Sequence, residues 1–268
     1  MAILQKTLPY SPWADPQLSR LPGIRPLDPA DWLVVDEAYG AQMAERDRLL
    51  AELPGKVHAL DEGARPAARE LLDTVLAHLA VRGDFEVGPG AVTRPDGVRV
   101  PLDRDAPLMT AARLVQEDLC LMEKRGEAEE HVLTGAALCF PASWTLAEKF
   151  MRPLIRIHRP VAPYDEGVAR RVQRLFDGLA PGRALWRANA HLYEDPGLFQ
   201  PRAEAAPRRE AEGLAPYLRS ERQCLLRLPR TGAVVFSIHT YMLRREDLSP
   251  EQQQALAGHV MARQEAGQ

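Results

Sequence analysis

The sequence predicts an α+β fold: a five-stranded antiparallel sheet with crossover helices, plus an N-terminal helical region. Three observations carry this. From Leu114 onward, apolar runs follow the order strand, strand, helices, strand, strand, strand. A charged turn over 125–130 and the Pro229-Arg-Thr-Gly232 turn join neighbouring strands as hairpins. The first hundred residues instead show helical periodicity broken by proline and glycine.

The elements follow in order. Residues 1–30 are rich in proline and turn formers and read as an extended arm over the body. A helix starts at Asp28, which suits the N-cap, with Pro29 at the first helical position and Asp31 complementing the dipole. Trp32, Val35, Tyr39 and Met43 carry it to about Leu53, and Pro54-Gly55 ends it. A second helix over 64–81 has Leu71, Leu72, Val75, Leu76 and Leu79 as its core-facing stripe. Residues 84–105 alternate short strand-like pieces with turns, and a short helix follows over 107–114.

The strands begin with 114–124 and 131–141, a natural antiparallel hairpin. Gln116, Glu117 and Asp118 read as caps for the preceding helix. Helices over 144–157, with Ser143 at the N-cap, and 165–179 form the crossover. Strands over 184–193, 221–228 and 234–243 complete the sheet, with 197–216 as a surface insertion. A helix capped at Ser249 closes the chain. The expected units are 1–105, an arm and helices packing on the core; 106–248, the sheet domain; and 249–268, a helical tail. This element order is the one used by Per-ARNT-Sim (PAS) sensor domains, so the sheet is expected to be PAS-like. Its ligand pocket then lies between the crossover helices and the sheet.

Composition excludes several classes. With 34 Lys+Arg against 37 Asp+Glu, the 268-residue chain has no basic footprint for nucleic acid or an anionic membrane. It shows no secretory h-region and no run of 18 apolar residues, so a cytoplasmic protein without a membrane span is expected. Cys120, Cys139 and Cys224 are too scattered for a cluster or thiolate zinc site and read as reduced, buried thiols. Phosphate-loop, dinucleotide, nucleophile-elbow and zincin motifs are absent.

Among seven histidines no pair stands at i, i+4, so a helix-borne zinc site is not indicated. His158 sits late in an apolar helical run, just before a proline. A histidine there is either a structural cap or core hydrogen-bonder, or a lone iron ligand, since haem needs only one strong protein ligand. His131 and His259 read as surface residues, and His239 faces either solvent or a pocket. Strand alternation puts Arg187, Asn189 and His191 on one face. On the next strand, Arg219, Glu221 and Gln223 share one face and Arg222 and Cys224 the other. Facing inward, Arg187, Asn189 and Glu221 converge on the pocket, to polarise oxygen or hold a cationic substrate. Facing outward, they are cross-strand pairs on a solvated sheet.

Seven stretches in order resemble a known family. They are Leu21-Pro-Gly-Ile-Arg-Pro-Leu-Asp28 with Asp31-Trp32, Leu114-Val-Gln-Glu-Asp-Leu-Cys-Leu121, Cys139-Phe-Pro-Ala-Ser-Trp144, Ile157-His-Arg-Pro-Val161, Leu185-Trp-Arg-Ala-Asn189, Arg219-Ser-Glu-Arg-Gln223 and Val235-Phe-Ser-Ile-His-Thr-Tyr241. Together they resemble the alpha (haem) subunit of the haem-dependent oxidative N-demethylase family, over residues 10–248. The resemblance implies haem b on a PAS-like fold and oxygen-dependent removal of a methyl group from a small secondary amine such as dimethylamine, with release of formaldehyde. Electrons would come from a separate reductase carrying flavin and an iron–sulfur centre. By the same resemblance His158 is the proximal iron ligand, Arg187 and Glu221 are catalytic, and Asn189, Arg222 and His239 contact the cofactor. The chain departs from the family pattern at Ala190, where an aromatic is common, and at His239, where Arg is common. The competing expectations are a non-catalytic haem or gas-binding PAS protein and a haem-free PAS-like protein.

Overall fold

The computed structural model describes residues 2–19, 22–158, 166–206 and 215–266. In chain order these residues form β1 (Arg25–Leu27), α1 (Tyr39–Glu52), α2 (Pro54–Val57), β2 (His58–Leu60), α3 (Arg65–Ala80), β3 (Glu86–Val87), β4 (Ala91–Thr93), β5 (Arg99–Pro101) and α4 (Pro107–Ala112). Next come β6 (Asp118–Glu123), β7 (Val132–Ala137), α5 (Leu146–Lys149), α6 (Leu154–His158), α7 (Glu166–Gly178), β8 (Ala184–Tyr193), β9 (Tyr217–Arg227), β10 (Val234–Arg244) and α8 (Pro250–Ala266). The class is α+β. Among the described residues, a seven-stranded sheet runs in the order β1-β8-β9-β10-β6-β7-β2, and β3-β4-β5 form a smaller sheet. Every pairing is antiparallel.

The large sheet is two strands wider than the sequence suggests. β1 and β2 are only three residues each, too short to show alternation, and Pro26 suits an edge. The sheet is also covered on both faces. On one, Cys120, Leu185, Leu225, Phe236 and Ile238 pack with Leu146, Leu154 and Phe176 of α5–α7. On the other, Leu119, Leu121, Cys224 and Val235 pack with Met43, Leu49, Leu71, Leu72 and Val75 of α1 and α3. Leu8 and Trp13 of the arm and Leu256 of α8 cover Leu218, Tyr241 and Leu243 at one end of that second face. β10 is accordingly buried almost throughout, the signature of a strand covered on both sides.

Two expected helices are broken, and in both cases long-range hydrogen bonds outcompete propagation. Asp28 does cap a turn, accepting from Ala30 N at 2.9 Å, but only a 3-10 turn over Pro29–Asp31 follows, and α1 starts at Tyr39. In between, the N–H groups of Val34 and Asp36 donate to the side chains of Glu117 and Gln116 at 2.9 and 3.2 Å. Gln116 and Glu117 therefore do not cap the helix before them, and the strand begins only at Asp118. Residues 144–157 split into α5 and α6, because Met151 N–H donates to Leu133 O and Leu133 N–H to Arg152 O, stitching the chain to β7. The stitch includes Met151 at φ 58°; Ser143, at φ 65°, instead donates its N–H to Gln200 O, and Thr145, not Ser143, occupies the N-cap of α5.

The buried ion pair of Arg46 and Asp118 joins α1 to β6 at 2.6 Å, both side chains almost wholly out of solvent. Arg46 also donates to the carbonyls of Ala112 and Glu117, and Asp118 accepts from Cys139 N and Phe140 N at 2.7 and 3.0 Å. Every charge in it is matched. Asp118→Ala leaves an unpaired buried guanidinium and two unpaired amides, with an expected loss of about 3–5 kcal/mol, measured as the change in urea unfolding free energy.

Candidate functional site

Register along the three long strands decides which side chains meet. Residues directly opposite in an antiparallel pair share a face. Arg187 stands opposite Gln223, and Gln223 opposite Ile238; Asn189 stands opposite Glu221, and Glu221 opposite Thr240. This row continues the face that packs on α5–α7, two residues along from Leu185, Leu225 and Phe236. Arg187, Asn189, Glu221 and Gln223 are all half-buried. His191 follows on the same strand face and is exposed.

The row is knitted together by hydrogen bonds. Glu221 Oε2 accepts from Asn189 Nδ2 at 3.3 Å and Gln223 Nε2 at 3.0 Å, and its Oε1 accepts from Arg219 Nε at 3.4 Å. Asn189 Oδ1 accepts from Glu221 N at 3.2 Å. Arg187 donates to Gln223 Oε1 at 3.2 Å, but its Nε is buried without a partner. Burial pulls the Arg187 pKa down, against the attraction of Glu221. The arrangement is an anchored carboxylate beside an incompletely satisfied guanidinium, able to take a cation at one and an anion or polarisable oxygen at the other.

Arg219 orders this row, which alternation alone does not show. It is 2% exposed and donates to Leu198 O at 3.0 Å and Phe140 O at 2.5 Å as well as to Glu221. Its place two residues before Glu221 on one strand face was the available signal.

Arg222 and His239 face the other way, so the fold does not bring them together with Arg187 and Glu221. Arg222 donates to the carbonyls of Trp32 and Asp31 at 3.1 and 2.7 Å and lies over the Trp186 ring. His239 is fully buried, with Nδ1 3.1 Å from Glu117 Oε1 and Nε2 3.0 Å from Asp36 Oδ2. Tyr241 packs at 4.7 Å on the same ring. Burial works against its charge, but hydrogen bonds to the two carboxylates prevail and raise its pKa to about 9. Asp36 is held below the usual carboxylate range: burial opposes this, and bonds from His239, Gln116 and Gln5 outweigh it. The imidazolium thus fastens residues 31–38 to β10.

His131, expected at the surface, is 2% exposed, 3.0 Å from Gln173 of α7 and against Phe176. Burial lowers its pKa, against the Gln173 bond and the charge of Asp177. The three thiols are free and buried, as expected. His158 is the last residue of α6; its side chain lies outside the described residues. Among the described residues no group of three or more His, Cys, Asp and Glu could hold a metal ion, and no helix is long and apolar enough to cross a membrane.

The His239 pKa has a consequence for stability. A histidine raised from 6.5 to about 9 contributes fully below its unfolded pKa and loses that contribution as pH rises through the folded value. Between about pH 6.5 and 9 the protein is expected to lose on the order of 3 kcal/mol from this residue. Urea unfolding at pH 6 and pH 9.5 measures it, and His239→Gln should flatten the pH dependence while lowering stability at pH 6.

A family model described as haem-dependent oxidative N-demethylase, alpha subunit-like, matches residues 23–266. That span takes in both edge strands, the polar row, the crossover helices and the whole of α8. The family name carries a haem-dependent oxidative activity, and the chain belongs to the haem-dependent oxidative N-demethylase alpha subunit-like family.

Proposed function

We propose that this chain binds haem b and uses O2 to remove a methyl group from a small secondary amine of the dimethylamine type, with electrons from a separate flavin and iron–sulfur reductase. The observation that carries this is the half-buried row of Arg187, Asn189, Glu221 and Gln223 on the face covered by α5–α7. The five central strands, taken in chain order, lie as 2-1-5-4-3, which supports a PAS-like domain over residues 106–248. A PAS-like pocket lies on the side of the crossover helices.

Haem has an apolar ring and an anionic edge, and the residues present suit both. The partly buried Trp144, Phe150, Leu185 and Phe236 offer apolar surface, and the unpartnered Nε of Arg187 suits a propionate or another anionic oxygen. His158 would supply the iron ligand from the end of α6. When bound, haem supplies the redox and O2 chemistry.

The chain's own residues do the rest. Glu221, fixed by Arg219, Asn189 and Gln223, pairs with the protonated secondary amine and orients its N-methyl group. Arg187 stays cationic despite burial and favours negative charge developing on the oxygen side. Cover by α5–α7 limits water around the reacting groups. The ammonium first gives up its N–H proton to water; the neutral amine then loses two electrons and a proton from the N-methyl group, and these two electrons, two more from the reductase and four protons reduce O2 to water. Water adds to the resulting iminium carbon, and the carbinolamine splits into formaldehyde and the primary amine. Arg222 and His239 are spent on holding residues 31–38.

Reconstitution with haem tests this directly. The wild type is expected to develop a Soret band that His158→Ala loses, and to release formaldehyde from dimethylamine with O2 and reductant. A wild type without a Soret band sinks the proposal in favour of a haem-free protein. A Soret band without turnover of any small amine leaves a gas-binding protein. Glu221→Gln is expected to keep the Soret band and lose about 10–100-fold in kcat/KM for the amine, mostly through KM, the worth of one charge-assisted contact.

A further inference from the structure

We propose that Glu204 is a positioning residue that fixes the last turn of α6, and with it His158; this rests on His158 being the iron ligand. Glu204 lies in the segment after β8 and reaches back to the crossover. Its two carboxylate oxygens accept from the two terminal nitrogens of Arg156 at 3.0 and 2.9 Å, a bidentate contact to α6. Lys149 of α5 bonds to the same carboxylate, and its ammonium also donates to Ile157 O at 2.8 Å, the carbonyl next to His158. The N–H of Glu204 in turn donates to the carboxylate of Glu148 at 3.1 Å.

The need for such a clamp follows from the length of α6. Five residues cannot hold a helix by internal hydrogen bonds. Its first turn is pinned from outside, where Leu154 N donates to His131 O and Ile155 N to Glu130 Oε2, both at 3.0 Å. Its last turn is held by Lys149, Glu204 and Arg156. Lys149 is only 3% exposed, and an ammonium buried to that degree requires a fixed anion. Glu204 is that anion, and without it Lys149 cannot remain on Ile157 O.

The same segment reaches the polar row. Leu198, six residues before Glu204, accepts from Arg219 through its carbonyl, and Arg219 bonds to Glu221. Residues 197–206 therefore tie the ligand-bearing turn and the substrate carboxylate into one unit. Glu204 touches neither haem nor amine in this reading; it acts through α6.

The test compares the full chain with Glu204→Gln, which keeps the shape and removes the charge. Arg230→Gln, which breaks a pair with Asp73 on α3, serves as control. Two readouts are taken: amide hydrogen exchange over residues 154–158 of the haem-free chain, and haem dissociation with the axial-ligand EPR signature of the loaded chain. Glu204→Gln is expected to speed exchange there and haem release by at least about tenfold, the worth of one charge-assisted hydrogen bond, and to broaden the EPR signal. Arg230→Gln is expected to change none of these. Unchanged exchange in Glu204→Gln overturns the clamp, and faster exchange with unchanged haem release overturns its link to the ligand. If the wild type takes up no haem, the functional reading fails, while exchange still decides whether Glu204 fixes the helix. Should Glu204→Gln not fold, Arg156→Gln removes the bidentate half of the clamp and is read the same way.

Discussion

The backbone of Phe140 is gripped through both its N–H and its carbonyl, and the layout of the molecule depends on that grip. Its N–H donates to Asp118 at 3.0 Å, and its carbonyl accepts from Arg219 at 2.5 Å. Asp118 in turn holds Arg46 of α1, whose guanidinium also lies over the Phe140 ring. Phe140 is where the chain leaves β7 for the crossover. One residue thus fixes the exit of the crossover relative to the N-terminal helices through Asp118 and to the polar row through Arg219. All three side chains are almost wholly buried, where unmatched charge costs several kcal/mol, so the arrangement has little freedom to shift.

From this anchor the sheet separates two kinds of polar chemistry. On the α1 and α3 side, Asp36, Glu117 and His239 form a compact cluster in which both imidazole nitrogens are occupied. Such a cluster specifies a docking and has no free position on the ring for a ligand. On the α5–α7 side, Arg187 and Glu221 are half-buried, and Arg187 keeps an unpartnered nitrogen. Unspent hydrogen-bonding capacity in a partly enclosed place suits a binding surface; the unpartnered Glu117 Oε2 of the first cluster is instead sealed in a fully buried one. The two faces belong to the same strands, so the adjacent residues Glu221 and Arg222 serve opposite ends.

Features carried by a single period were legible in the sequence. Alternation put Arg187 and Asn189 on one face and separated Glu221 from Arg222, and the stripe of α3 needed no tertiary information. What escaped was set by contacts distant along the chain. Residues 32–38 have helical spacing, but Gln116 and Glu117, some eighty residues away, take their amides. His131 follows a charged turn and reads as exposed, yet α7 folds over it. His239 looks ambiguous by alternation because its partners, Asp36 and Glu117, come from elsewhere in the chain. Lys149 and Glu204 carried no signal at all: each is a charged residue in a polar stretch until the crossover brings them together.

This asymmetry bears on how the two central histidines are to be read. A histidine whose two nitrogens both donate to carboxylates cannot offer a lone pair to iron, so the geometry of His239 argues for a fixed imidazolium. The site at the end of α6 has the opposite requirement. A ligand histidine must be neutral, with one nitrogen unprotonated, and so must be kept away from unpaired carboxylates. The carboxylates around α6 are engaged in this way: Glu204 by Lys149 and Arg156, Glu148 by Thr145 and the Glu204 N–H, and Glu130 by the Ile155 N–H.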